Sequence, residues 1–134
     1  MCGIAGIVNY KKDLKKTINN LNLSIKHRGP DENGFYFDKD ENIALTMTRL
    51  SIIGLNDGSQ PKISKDKNII IFFNGEIYNY KELNKIYFPK INIKSDTEIL
   101  LRMYEKFGLN MLNNLNGMFS ICIYDKKNKK IFLV

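Results

Sequence analysis

Five consecutive apolar residues, Ile69-Ile70-Ile71-Phe72-Phe73, constrain the architecture of this chain more than any other stretch. All are β-branched or aromatic, and the run is too short for a buried helix. It predicts a strand covered on both faces, which requires a sheet packed into a layered core. Polar and turn-forming residues follow at once, in Asn74-Gly75-Glu76-Ile77-Tyr78-Asn79-Tyr80. The end of a buried strand is a rigid base from which binding groups are displayed.

The rest of the chain alternates short strands with amphipathic helices. Gly3 to Val8 predicts a strand in which two glycines allow close backbone approach. In Asp13 to Lys26, Leu14, Ile18, Leu21 and Ile25 share one helix face, with Asp13 as N-cap. His27-Arg28-Gly29-Pro30-Asp31 ends that helix, because the residue before a proline disfavours helical backbone. Phe35 to Asp38 and Ile43 to Arg49 read as two strands of a meander around the turn Lys39 to Asn42. Leu50 to Leu55 continues apolar into a loop over Asn56 to Pro61. A short helix is expected over Tyr80 to Lys85. Ser95 and Glu98 form a capping-box pattern before a helix with Ile99, Leu100, Met103, Tyr104 and Phe107 on its apolar face, stopped by Gly108. Met111 to Leu115 adds a further helical turn. Phe119 to Tyr124 and Ile131 to Val134 predict a strand pair. This order of elements is α+β, with sheets packed against helices.

At 134 residues the chain is one domain or part of one, and 43% apolar with 26% charged residues is a globular composition. The formal charge of +7 is carried by scattered lysines, with Arg28, Arg49 and Arg102 as the only arginines. A nucleic-acid binder would cluster its cations with exposed aromatics on one face, so neither nucleic acid nor membrane is expected as a partner. The apolar start is too short for a signal segment, and no apolar run reaches the ~18 residues of a membrane span. Two cysteines, Cys2 and Cys122, make no disulfide framework. A reducing, cytoplasmic setting is expected. Cys122 alternates with Ile121 and Ile123 and is expected in the core. His27, the only histidine, has no partners at metal-ligand spacing, so no metal site is expected. The chain ends at Val134 inside an apolar run and reads as cut short.

Cys2 has a chemical option that no internal cysteine has. Removal of Met1 would leave a thiol and a free α-amino group on one residue. An α-amino group titrates near pH ~7.7–8.0 and a free thiol near ~8.5, so the amine can act as base for its own side chain. N-terminal-nucleophile hydrolases pair nucleophile and base in this way. The competing explanation is that Cys2 is merely the second residue of a short buried strand.

Seven motifs occur in order: MCGIAGI at 1–7, HRGPDENG at 27–34, TRLSII at 48–53, QP at 60–61, NGEIYNYKEL at 74–83, SDTEIL at 95–100 and LNGMFSICIYD at 115–125. Together they resemble the glutaminase domain of class II glutamine amidotransferases, most closely that of glutamine-hydrolysing asparagine synthetases. The resemblance spans residues 1–134. It implies an N-terminal-nucleophile hydrolase fold, a four-layer αββα sandwich of antiparallel sheets flanked by helices, with its C-terminal part missing. It also implies that Cys2 attacks the side-chain amide of glutamine, with Asn74 and Gly75 as donors to the oxyanion. Arg49 would clamp the substrate α-carboxylate, a bidentate role that lysine fills poorly. Glu76 and Asp96 would receive the α-ammonium. For Asp96, charge complementarity at a helix N-terminus is a second explanation. For Arg28 to Asp31, ordering of the loop near Cys2 and a purely structural role stay open.

Two substitutions depart from the family pattern: Met47 stands where a histidine is usual, and Thr46 replaces a common glycine. The synthetase domain, with its ATP-binding Ser-Gly-Gly-x-Asp-Ser loop, is absent. No cofactor is therefore expected in this chain, and ATP and Mg2+ would belong to the missing domain. Glutamine is the expected ligand, and a separate synthetase domain or subunit the expected partner; a homodimer stays open. An inactive remnant or partner-binding fragment, and the glutaminase domain of another class II amidotransferase, remain alternatives.

Overall fold

The computed structural model describes residues 2–10, 12–50 and 59–134. The chain divides into two compact units, Met1–Ile52 and Ile53–Val134.

In the first unit, strands β1 (Gly3–Ile7), β2 (Glu32–Asp38) and β3 (Ile43–Arg49) form an antiparallel sheet in the order β1-β3-β2. Helix α1 (Leu14–Ser24) lies between β1 and β2 in sequence and begins as its N-cap predicts, with Asp13 accepting the Lys16 N–H at 2.9 Å. Every residue of the central strand β3 is buried. Its even positions face α1. Asn22 of the helix donates to Thr46 Oγ1 (2.8 Å) and to the Met47 carbonyl (3.1 Å), and Thr48 donates to the Ile25 carbonyl (3.0 Å). Because strand side chains alternate, Leu45, Met47 and Arg49 point to the opposite face.

Two features of this unit differ from expectation. Of the apolar positions on α1, only Ile18 is fully buried, and the buried polar partner is Asn22, held by its bonds to β3. Strand β2 also starts three residues early, at Glu32 instead of Phe35. Asn33-Gly34 is a turn signal locally, but the Gly34↔Met47 and Asn33↔Thr48 pairings pull it into the sheet. Thr46 also donates to the Gly34 carbonyl at 2.9 Å and so fastens β2 to β3.

In the second unit, β4 (Lys62–Ile63), β5 (Ile69–Ile77), β6 (Gly117–Asp125) and β7 (Lys130–Leu133) form an antiparallel sheet in that order. Helices α2 (Tyr80–Tyr87) and α3 (Asp96–Phe107) pack on one face. Ile71, Phe73 and Ile77 of β5 and Ile121 and Ile123 of β6 meet Ile99, Leu100, Met103 and Tyr104 of α3 there. Each fully buried aliphatic side chain in such a cluster contributes about 1.5–3 kcal/mol by leaving water. The helix starts where the capping pattern places it, with Ser95 Oγ accepting the Glu98 N–H, and ends at Gly108 with φ +56°. The strand buried on both faces is confirmed by Ile70, Ile71 and Phe72 at 0% exposure and Phe73 at 3%. Cys122 is buried as expected, and burial pushes its thiol up to about 11.

The polar stretch after Phe73 does not leave the sheet; β5 continues through Asn74, Gly75 and Glu76 to Ile77. Each unit thus pairs an antiparallel sheet with helices on one of its faces, the expected α+β layering. Of the expected apolar continuation and loop over 50–61, residues 51–58 lie outside the described residues. Among the described residues no helix is long and apolar enough to cross a membrane.

Candidate active site

The first unit places Cys2 and Arg49 together. The β1–β3 register pairs Gly3 with Thr48 and β2–β3 pairs Glu32 with Arg49, so one step further along β1 aligns Cys2 with Arg49 and Glu32 in a single cross-strand row. This row lies on the face opposite α1. The Leu50 N–H points at Cys2 Sγ from 3.4 Å, and the Leu50 carbonyl lies 3.8 Å from the same sulfur. The sulfur is half-buried, held between the amide and the carbonyl of one residue.

The stretch Arg28 to Asp31 organises this corner. Arg28 Nε donates to the Cys2 carbonyl at 3.0 Å, and the Asp31 N–H donates to the Arg49 carbonyl at 3.1 Å. Gly29 lies so close to the backbone between Arg49 and Leu50 that a Cβ would sit 2.5 Å from the Arg49 carbonyl carbon. The motif therefore holds the peptides on either side of the thiol.

Arg49 is 5% exposed, which excludes a plain surface charge at a strand end. Its Nη1 meets Glu32 Oε2 at 2.8 Å. A buried guanidinium is costly unless it is paired, and Glu32 supplies the opposite charge. Nothing in the sequence pattern singles out Glu32; its position directly across from Arg49 in the ladder does. Met47 is buried on the same face, across from Ile4.

The second unit gathers Asn74, Gly75, Glu76 and Asp96. Along β5, residues 68 and 78 bond toward β6, since Lys126 N–H donates to the Asn68 carbonyl and Tyr78 N–H to the Asn116 carbonyl. Residues 69, 73 and 77 turn their backbone groups to the other edge. There Ile69 bonds Ser64, Phe73 bonds the Gln60 side chain and the Ile77 N–H donates to Asp96 Oδ2 at 3.3 Å. By the same alternation Gly75 turns its N–H to that edge, and no hydrogen bond to it is formed among the described residues. The Asn74 and Glu76 side chains share the face opposite α2 and α3.

Gly75 is required for a reason the sequence does not show. Its φ is +144°, and a Cβ would lie 2.1 Å from the Met118 carbonyl oxygen of β6. The neighbouring strand excludes a side chain here.

Asp96 opens α3 and is 6% exposed. Its Oδ1 accepts the Thr97 N–H at 2.9 Å while Oδ2 takes the Ile77 N–H. Burial raises its carboxyl above the ordinary aspartate value; the two N–H bonds oppose that shift and the nearby Glu76 charge adds to it. Asp96 thus joins the helix N-terminus to β5 and lies within electrostatic reach of Glu76. Such a pair of carboxylates gains most from a cation between them.

The whole chain, residues 1–134, matches the family model described as glutamine amidotransferase domain. A Methanocaldococcus jannaschii protein, provisionally named asparagine synthetase [glutamine-hydrolyzing] 2, is 41% identical over 98% of this chain and 29% of its own length. Asparagine synthetase [glutamine-hydrolyzing] 2 of Bacillus subtilis is 36% identical over 100% of this chain and 18% of its own. Asparagine synthetase B [glutamine-hydrolyzing] of Escherichia coli is 36% identical over 100% of this chain and 24% of its own. The chain therefore spans 18% to 29% of the length of these relatives.

Proposed function

The chain belongs to the glutamine amidotransferase domain family, and from that premise we propose that it is the glutaminase portion of an asparagine synthetase. It would release ammonia from glutamine for transfer by a synthetase domain or subunit. The observation that carries the proposal is the placement of the Cys2 thiol against the Leu50 N–H, in register with the buried Arg49.

The chemistry follows from the roles that the family resemblance gives these residues. With Met1 removed, the Cys2 amine takes the thiol proton and the sulfur attacks the side-chain carboxamide carbon of glutamine. The C=O π pair moves to oxygen, where the Asn74 side chain and the Gly75 N–H donate to it. The ammonium formed on the α-amine then protonates the leaving nitrogen. Ammonia departs and a thioester remains on Cys2. Water, deprotonated by the same amine, attacks the thioester through a second oxyanion and releases glutamate with the thiolate as leaving group. Arg49 receives the substrate α-carboxylate, and Glu76 with Asp96 receives the α-ammonium. No metal or redox cofactor has a step in this scheme, and ATP with Mg2+ would serve the synthetase half. A reducing, cytoplasmic compartment suits the free nucleophilic thiol.

The test is release of glutamate and ammonia in equal amounts from glutamine by the purified chain. A folded chain whose mass shows Cys2 at its N-terminus, yet which releases neither, would refute the proposal in favour of a non-catalytic fragment.

Arg49→Lys should raise KM for glutamine by more than about tenfold with kcat changed far less, since the bidentate fork is lost from a uniform binding contact. An unchanged KM would remove Arg49 from the carboxylate site.

Asp96 gives a pH signature. Its ionised form receives the α-ammonium, and burial makes it take up a proton at a higher pH than an ordinary aspartate does. On acidification KM should therefore rise while exposed carboxylates are still ionised. Asp96→Asn should give a high KM that no longer changes with pH in this range. An acid limb unaffected by that substitution would show that another group titrates.

A further inference from the structure

Gln60 lies in a stretch of turn residues, yet it is 9% exposed, and both ends of its carboxamide are used on one residue. Its Nε2 donates to the Phe73 carbonyl at 2.9 Å, and its Oε1 accepts the Phe73 N–H at 2.6 Å. The β4–β5 register runs from Ile63↔Ile70 through Lys62↔Ile71, so position 60 falls opposite Phe73. At that point Pro61 has no N–H to give and β4 has ended, and the Gln60 side chain makes the pair of bonds a strand backbone would make.

From this we infer that Gln60 is a positioning residue for the oxyanion donors, an inference that rests on the proposed glutaminase reaction. Phe73 is the last residue before Asn74 and Gly75. Along the same edge the next backbone amide after Gly75 that turns this way is that of Ile77, held by Asp96. Gln60 and Asp96 therefore fasten β5 on either side of the Gly75 amide and leave that amide open. A donor held in advance stabilises a developing oxyanion without reorganising during the reaction. Without Gln60, the Phe73 N–H and carbonyl would be two buried polar groups without partners. The strand would shift to satisfy them, carrying Asn74 and Gly75 with it.

The consequence is selective. Glutamine or glutamate is held by its α-groups through Arg49, Glu76 and Asp96, whereas only the oxygen of a tetrahedral adduct, as oxyanion or hydroxyl, uses the Asn74 and Gly75 donors. Gln60→Met keeps the volume and removes both bonds. The probe is the γ-aldehyde analogue of glutamine, to whose carbonyl carbon the Cys2 sulfur adds while the thiol proton passes to the carbonyl oxygen. This tetrahedral adduct engages the oxyanion donors, and bound glutamate does not. Gln60→Met should weaken aldehyde binding and lower kcat on the order of ten- to a hundredfold, the range expected for a small misplacement of reacting groups. Affinity for glutamate should stay as in the wild type. Amide exchange measured by NMR should quicken at Phe73 and stay unchanged in α3.

Aldehyde binding equal to wild type in the variant would overturn the inference, and so would equal weakening of aldehyde and glutamate, which marks general loosening. If Gln60→Met does not fold, Gln60→Glu retains the acceptor for the Phe73 N–H and should show a smaller loss of the same selective kind. A wild-type chain that hydrolyses glutamine while the variant matches it refutes the role of Gln60 alone. A wild-type chain that binds no aldehyde refutes the glutaminase reaction, and the positioning role with it.

Discussion

Cys2→Ala should remove glutamine hydrolysis while leaving the fold intact. Loss of a catalytic nucleophile costs on the order of 10⁴-fold or more in kcat, because the remaining groups act only in concert with it. The structural cost is small by comparison. The Cys2 side chain is half-buried, its hydrogen bonds are the two long contacts to Leu50, and the Arg28 bond goes to its carbonyl, which alanine keeps. Glutamate should therefore still bind through its α-groups, with affinity close to that of the wild type. Cys122→Ala provides the control within the same chain. That thiol is 3% exposed and pushed up to about 11 by burial, so it is neither accessible nor ionised at neutral pH. Its loss should leave kcat unchanged and cost stability through the small cavity left behind. Hydrolysis that survives Cys2→Ala, or disappears in a folded Cys122→Ala, would assign the nucleophile wrongly.

The sequence shows the elements whose signal is local. Ser95 and Gly108 mark both ends of α3 because capping chemistry acts within one turn, and β3 is bounded at Ile43 and Arg49 as its pattern predicts. The end of β5 was hidden by its own beginning. Five apolar residues in a row carry no period, yet Phe73, Gly75 and Ile77 alternate with Asn74 and Glu76, which is the period of a strand with one polar face. The start of β2 carries no strand pattern of its own, since Asn33 and Gly34 are poor strand formers that only pairing with β3 draws into the sheet.

Among the site residues, legibility depended on chemical type. Cys2 stands out because a thiol beside an α-amine has few alternative uses, and Arg49 because the chain otherwise mostly uses lysine, whereas Asp96 is marked only by the family resemblance. Glu32 and Gln60 could not be recognised in this way. Their meaning lies in what stands across the ladder, Arg49 in one case and the backbone of Phe73 in the other, and residue spacing does not encode cross-strand register. The Leu50 N–H that approaches Cys2 is a backbone group, invisible to any reading of side chains.

Gly75→Ala should be the most damaging single-methyl change in the second unit, and Gly108→Ala is the comparison that isolates why. Both glycines have positive φ, +144° at Gly75 and +56° at Gly108, so both substitutions carry a backbone strain of about 1–3 kcal/mol. Their surroundings differ. A Cβ on Gly108 meets nothing within 4 Å, whereas one on Gly75 lies 2.1 Å from the Met118 carbonyl oxygen and 2.6 Å from the Phe119 Cα. Those are backbone atoms of a paired strand and cannot rotate away. Relief requires β5 and β6 to separate around Gly75, adding about 1–3 kcal/mol of overpacking. Thermal unfolding should therefore place Gly75→Ala well below Gly108→Ala, and equal losses would show that β6 yields without cost. Activity separates the two further. At a temperature where both variants are folded, Gly108→Ala should keep its kcat, because its strain is confined to the end of α3. Gly75→Ala should lose on the order of 10²–10³ in kcat and also raise KM, since the displaced strand carries the proposed oxyanion donor together with Glu76, the proposed partner of the substrate α-ammonium. A folded Gly75→Ala with full turnover would free the Gly75 amide from any part in the reaction and leave its glycine explained by strand packing alone.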